Sequence, residues 1–239
     1  MITEHTSGLY STQTNLNIPT LKQTCYQMYN IVKTNFETSD KNYTGQTALS
    51  NKIFWKYNFL LYTLPEIHEL FIAIRDNFYL FHKKYYGENA PQEPYYIQSW
   101  LNFYFKGDFI DWHHHDWNMN RPLYFDPAWH GFVCVDVEPN SKTSYRWKNL
   151  PNTIDVPSKD GLLVLGLSNG DTHKSSEWHD ETRPRITIAF DIVPRRNLFN
   201  PMHLRSKPYS SEEHADELVR RLCEYPKDHE IFLNHWIPI

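Results

Sequence analysis

Residues 112–116 read Trp-His-His-His-Asp inside an aromatic, strand-like run, and a second His-centred segment, Gly170-Asp171-Thr172-His173, lies much further along the chain. Side chains at i and i+2 of a strand share a face, so one strand can aim two ligands at a single ion. A third ligand has to arrive from a neighbouring strand. The two segments, distant in sequence, must therefore be neighbours in the fold. Imidazole suits Fe, Zn, Cu and Ni alike, so the cluster predicts a metal site without naming the metal.

The pattern around these segments is that of short strands behind a helical lead-in. Leu21, Cys25, Met28, Val32 and Phe36 fall at helical spacing. A second helix is predicted over roughly 64–86, opened by a Thr63-x-x-Glu66 capping box with Pro65 in its first turn and closed at Gly87. Its apolar face is Ile67, Leu70, Phe71, Ile74, Phe78, Phe81 and Tyr85. From Tyr95 the runs become β-type, at 95–105, 109–115, 131–137, 143–147, 162–167, 171–174 and 185–193, separated by Gly, Pro, Asp and Asn turns. A Ser210-Ser211-Glu212-Glu213 cap and Ala215, Leu218, Val219 and Leu222 predict a last, covering helix. The expected architecture is mainly β with flanking helices (α+β): a jelly-roll double sheet with a helical N-terminal part and a C-terminal helix. One domain is expected, with a helical lead-in over 1–94, a β core over 95–194 and an extension over 195–239.

Composition supports this and excludes other classes. The 16 Tyr, 14 Phe and 8 Trp favour pleated, half-buried surfaces, and 239 residues suffice for a well-buried core. A net charge of −4 with mixed signs argues against a nucleic-acid partner. No apolar stretch reaches the roughly 20 residues needed to span a bilayer, and the N-terminus lacks a secretory pattern. Cys25, Cys134 and Cys223 lack CxxC spacing and read as reduced thiols in a cytoplasmic protein. Sequence leaves the oligomeric state open.

The run Arg185-Ile186-Thr187-Ile188-Ala189-Phe190-Asp191-Ile192 alternates strictly. One face is apolar; the other carries an arginine and a threonine, a seat for a carboxylate through a bidentate pair. Here the chain resembles the 2-oxoglutarate/Fe(II)-dependent oxygenases. Its Arg-Ile-Thr-Ile-Ala-Phe run resembles that family's R-x-S/T-x-x-F strand, and Asn102-Phe103-Tyr104 with Gly107 resembles its N-x-Y-x-x-G and Y-x-x-G patterns. Trp100-Leu101-Asn102, an H-x-H pair and His130-Gly131-Phe132-Val133 resemble elements of a phage and bacterial branch. The resemblance covers about 95–194. It implies a double-stranded β-helix (cupin-like), Fe(II), 2-oxoglutarate and O2 as cofactors, and a dioxygenase that hydroxylates its substrate with release of succinate and CO2. It further implies His173 as the distal ligand, Arg185 on the far carboxylate of 2-oxoglutarate, and Tyr104 or Asn102 as a second contact. Without it, Tyr104 reads as core packing and Arg185 as an ion-pair partner.

Two registers compete for the ligand pair. His114 and Asp116 give the orthodox H-x-D; His113 and His115 give H-x-H. In the hydroxylase pattern the first ligand comes six residues after the glycine, and six after Gly107 is His113, preceded by the apolar Trp112. A slip of one residue turns the whole strand over, and a bulge at Asp108 would restore H-x-D. Two other classes stay open. One is a cupin metalloenzyme with a three-His site, whose first motif lacks its acid here because residues 118–120 are Asn-Met-Asn. The other is a non-enzymatic jelly-roll binding protein. The aromatic insert 117–130 reads either as a substrate lid, with Trp117, Trp129 and His130 facing the substrate, or as a plug that closes the barrel. The substrate expected is a small molecule or a peptide or protein side chain.

Overall fold

The computed structural model of the chain describes residues 2–35, 58–115, 128–148, 150–168, 171–195 and 236–239. It opens with a hairpin of β1 (Ile2–Thr6) and β2 (Leu9–Gln13), followed by helices α1 (Ile18–Asn35) and α2 (Pro65–Tyr86). Then come β3 (Tyr95–Tyr104), β4 (Trp129–Asp136), β5 (Lys142–Arg146), β6 (Ile154–Pro157), β7 (Leu162–Leu167), β8 (Thr172–Ser175), β9 (Arg185–Pro194) and β10 (Ile237–Pro238). A seven-stranded sheet has the order β1-β2-β7-β4-β9-β3-β10, and a three-stranded sheet the order β6-β5-β8. Every pairing is antiparallel. The predicted C-terminal helix, Cys223, Asp116 and Trp117 lie outside the described residues.

The period-2 alternation of β3 and β9 decides which residues face the helices. Ile186, Ile188, Phe190 and Ile192 of β9 join Ile97, Leu101 and Phe103 of β3 in one core with Leu21, Cys25 and Met28 of α1 and Ile67, Leu70, Ile74, Phe78 and Phe81 of α2. The opposite face of the same strands looks toward the small sheet, so all ten residues of β3 are buried. Ladder pairing sets Asn102 against Thr187, Tyr104 against Arg185 and Gln98 against Asp191 on that inner face. A smaller core of Leu9, Tyr145, Val156 and Val164 lies between the sheets. Gly131 of β4 permits the close packing on the helix side: a Cβ there would sit 2.3 Å from the Val164 carbonyl oxygen and 2.7 Å from the Phe190 ring.

Three expectations need correction. The lead-in is not helical throughout, because β1 and β2 pair with each other and add an edge to the large sheet through β2–β7. The Thr63 capping box does not form. Leu64 is the N-cap and makes no side-chain cap, while the Glu66 carboxylate accepts the Thr24 hydroxyl and ties α2 to α1. Proline at the first helical position fixes φ and has no N–H to satisfy, which removes part of the need for a cap. The apolar face of α2 also turns further than its periodicity suggests: Tyr85 is 36% exposed, and His82 is buried, 2.9 Å from the Tyr95 hydroxyl. The short strands β6 and β10 were not foreseen.

Burial pushes the His82 imidazole down to about 4, against a small opposing effect of Glu93. The unfolded chain titrates near the ordinary value of about 6.5. It therefore binds the extra proton first as pH falls, and the contribution of a neutral His82 is full above about 6.5 and lost toward pH 4. A His82→Gln variant should show a shallower decline of Tm between pH 6.5 and 4 than the wild type. Parallel declines would remove His82 as a source of acid sensitivity.

Candidate metal centre

The segment after β3 turns at Gly107, whose φ of 84° favours glycine, and runs back antiparallel beside β8 and the residues that follow it. Gly107 N–H donates to the Trp178 carbonyl at 2.8 Å, and Trp178 N–H to the Asp108 carbonyl at 3.0 Å. Ser175 N–H donates to the Ile110 carbonyl at 3.0 Å. The expected strand over 109–115 is reduced to a single bridge, His113 with His173, because side-chain oxygens compete for its N–H groups. Asp108 Oδ2 accepts Phe105 N–H, Ser175 Oγ accepts Ile110 N–H and Asp111 Oδ1 accepts Trp112 N–H, at 2.7–2.8 Å.

The bridge decides which histidines meet. His113 and His173 exchange backbone hydrogen bonds of 3.0 and 2.9 Å, and directly paired residues share a face. His115, two residues on, joins them. One ligand atom from each of His113, His115 and His173 lies within 4.8 Å of the others. His114 falls between the two and is exposed. The structure thus brings together the H-x-H pair and His173.

Each of the three rings has an oxygen at Nδ1. His113 Nδ1–H donates to the Asp111 carbonyl at 2.8 Å. Asp191 Oδ1 lies 2.6 Å from His115 Nδ1, and Asp171 Oδ2 lies 3.2 Å from His173 Nδ1. Burial, and then the neighbouring imidazoles, hold His113 and His173 well below the ordinary histidine range. Neutral rings offer the lone pairs that a metal needs. Burial also raises the Asp171 carboxyl to about 7. Neither Asp171 nor Asp191 was singled out from sequence as a site residue. The available signals were the Asp-x-His spacing of 171 and 173, and the place of Asp191 on the polar face of the arginine strand.

Arg185 is buried, and among the described residues its Nε and Nη1 have no hydrogen-bond partner. Its Nη2–H donates to Ser158 Oγ at 3.4 Å, and its guanidinium carbon stands 5.3 Å from the centre of the Tyr104 ring. Among the described residues no acid pairs with it. A buried cation without a counter-charge is costly, so its spare N–H groups define a seat for an anion. Asn102, Tyr104 and Thr187 line the same inner face, and burial raises the Tyr104 phenol to about 12.

The two described residues of the aromatic insert occupy different faces of β4. Trp129 is fully buried in the core between helices and sheet, with ring centres 6.1 Å from Phe78 and 5.9 Å from Tyr85, so it faces away from the histidines. His130 faces inward, with ring centres 4.7 Å from His115 and 4.5 Å from His173. It is deep in the cluster, not at a mouth.

Two sheets packed in this topology make a jelly-roll, double-stranded β-helix fold of the kind found in prolyl hydroxylases and non-haem oxygenases. A prolyl-4-hydroxylase from Pseudomonas putida is similar at 13% identity, covering 79% of this chain and 94% of its own, with a TM-score of 0.52. The non-haem monooxygenase ThoJ, in a nickel complex, is similar at 12% identity over 80% and 76% with a TM-score of 0.52. A prolyl hydroxylase in complex with a hypoxia-inducible-factor oxygen degradation domain peptide, from Trichoplax adhaerens, is similar at 11% identity over 84% and 89% with a TM-score of 0.54. At such identities the likeness is one of fold. No protein-family model and no curated protein sequence matches the chain. Among the described residues no helix is long and apolar enough to cross a membrane.

The placement of Trp129 predicts a stability role. Trp129→Ala should cost about 3–5 kcal/mol in denaturant unfolding. Its affinity for Co(II) should match that of the wild type. A stable variant with impaired metal binding would return Trp129 to the site.

Proposed function

We propose that the chain is an Fe(II)- and 2-oxoglutarate-dependent dioxygenase that hydroxylates its substrate. The observation that carries this is the gathering, on one inner face, of three imidazoles, with His113 and His173 held neutral by burial, beside a buried arginine that has spare N–H groups. Nitrogen donors of this kind suit Fe(II), and a guanidinium with free donors suits a carboxylate. The donor sets fit the two groups.

His113, His115 and His173 would hold the metal, and the sharing of one face by His113 and His173 is what supports this trio over His114 with Asp116. Arg185 would hold the far carboxylate of 2-oxoglutarate through charge-assisted hydrogen bonds, with Tyr104, Asn102 and Thr187 beside it. Bound there with O2, iron and 2-oxoglutarate supply an oxidising chemistry that ends in succinate, CO2 and a hydroxylated product. The chain's part is to orient both groups and to keep water out of a site walled by β3, β9 and the small sheet. Trp117, which follows the ligand run in sequence, is assigned to the substrate side. The substrate proposed is a peptide side chain or a small molecule; a peptide is bound in one of the solved neighbours. Three imidazoles with no carboxylate ligand also suit a cupin-type metalloenzyme, and the arginine separates the two readings.

Anaerobic addition of Fe(II) and then 2-oxoglutarate should give the visible charge-transfer band of the chelate, and aerobic incubation should give slow, substrate-independent succinate. Arg185→Met should weaken 2-oxoglutarate by about tenfold to a hundredfold and leave Fe(II) affinity unchanged. His113→Ala should abolish iron binding, and His114→Ala should not. A folded, iron-loaded protein with neither band nor succinate would turn the assignment to the cupin-type reading.

A further inference from the structure

We propose that Asp191 and Asp171 are the positioning residues of the metal centre, each holding one ligand ring through Nδ1 so that the ring presents Nε2 to the ion. The proposal rests on the three-imidazole reading given above. A ligating histidine almost always gives its second nitrogen to an oxygen acceptor, which fixes the ring's tautomer and orientation and raises its basicity. All three rings here have an oxygen beside Nδ1: the Asp111 carbonyl and Asp171 hydrogen-bond to His113 and His173 respectively, and Asp191 Oδ1 stands 2.6 Å from His115 Nδ1. One is a backbone group and the other two are carboxylates almost wholly removed from solvent.

The two carboxylates also answer a charge problem. A face of two histidines and a carboxylate brings one negative charge to a divalent ion. Three neutral imidazoles bring none, and the excess positive charge would be buried. Asp191 and Asp171 place negative charge directly behind the rings, in hydrogen-bond reach of them. The ladder fixes one of these carboxylates: Asp191 pairs across β9 with Gln98 of β3 and with His130 of β4.

His130 stands beside this arrangement. Its Nδ1 lies 3.1 Å from Ser168 Oγ, and its Nε2 lies 3.3 Å from the same Asp171 oxygen that faces His173. Ser168 holds the ring at Nδ1 while Nε2 makes no hydrogen bond among the described residues, and the ion is assigned to the other three rings. The neighbouring group of His130, Asp171 and His173 is close enough to be a rival ligand set. The two sets make opposite predictions.

The test uses the full chain, with Co(II) titration for affinity, Cu(II) electron paramagnetic resonance for the number of nitrogen ligands, and melting of each metal-free variant as a folding control. Asp191→Ala and Asp171→Ala should each weaken Co(II) by ~10- to 100-fold. Asp191→Asn should recover part of that loss, because an amide oxygen still accepts the Nδ1–H but brings no negative charge. The Cu(II) spectrum should show three imidazole nitrogens in the wild type and the Asn variant, and fewer in Asp191→Ala. Wild-type Co(II) affinity in both alanine variants would overturn the proposal. So would complete loss of binding in Asp191→Asn, which would make Asp191 a ligand. Loss of binding in His130→Ala with retention in His115→Ala would favour the rival set and overturn it too. If neither His113→Ala nor His173→Ala alters Co(II) binding, the three-imidazole centre itself fails, a result distinct from failure of the two aspartates alone.

Discussion

Two hydrogen bonds between the backbones of His113 and His173, of 3.0 and 2.9 Å, decide more about this protein than any other contact. Directly paired residues of an antiparallel bridge point to one side, so this pair selects the face on which the histidine run acts. Displaced by one residue, the bridge would send His114 inward and turn His113 and His115 out. Toward Gly107 the pairing continues through the bonds from Ser175 N–H to the Ile110 carbonyl and from Trp178 N–H to the Asp108 carbonyl. The flanking N–H groups of Phe105, Ile110 and Trp112 are taken by side-chain oxygens, and no regular ladder extends from the bridge. The choice among three adjacent histidines thus depends on an irregular segment pinned by Gly107 at one end and by the bridge at the other.

The β9 strand was the most legible part of the chain. Its alternation is strict, and both of its faces are used, one against the helices and one toward the site. Most of the helices and strands from α1 onward followed from periodicity and turn residues for the same reason, though β6 and β10 are too short to show either. What escaped was of a different kind. The β1–β2 hairpin is short, and β1 is largely solvent-facing, so it carries little apolar alternation to read. Segment 109–115 has the aromatic character of a strand, yet aspartate and serine side chains satisfy its backbone locally. Trp129 was placed by its neighbours in sequence, whereas its side chain follows the strand's pleat into the helix core. Asp191 faces His115 across strands, and pairing between strands is invisible until the register is known, whereas Asp171 lies only two residues from His173. Sequence leaves two registers open for the histidine run because the contact that aligns it is a long-range one.

The arginine strand also imposes a geometry on what can occupy the inner face. Arg185 and Asp191 lie six residues apart on the same strand and the same face, so their Cα atoms are separated by ~20 Å. A cationic end and an anionic end are thereby fixed on one rigid element. An anion is drawn toward Arg185, and a metal ion toward the imidazoles backed by Asp191 and Asp171. A compact anion at the arginine would leave unused the polar groups of Asn102 and Thr187 that are placed along the face between the two ends. An elongated ligand with an oxygen-donor group at each end uses both, with one carboxylate at the guanidinium and the other group directed toward the histidines. The five-carbon dicarboxylate proposed as cosubstrate is much shorter than the Cα spacing, so it bridges the two ends only because the long arginine side chain and the imidazoles project from them. The spacing that admits it is set by the two-residue period of one strand, which is why a function assigned to this fold depends on register before it depends on any single side chain.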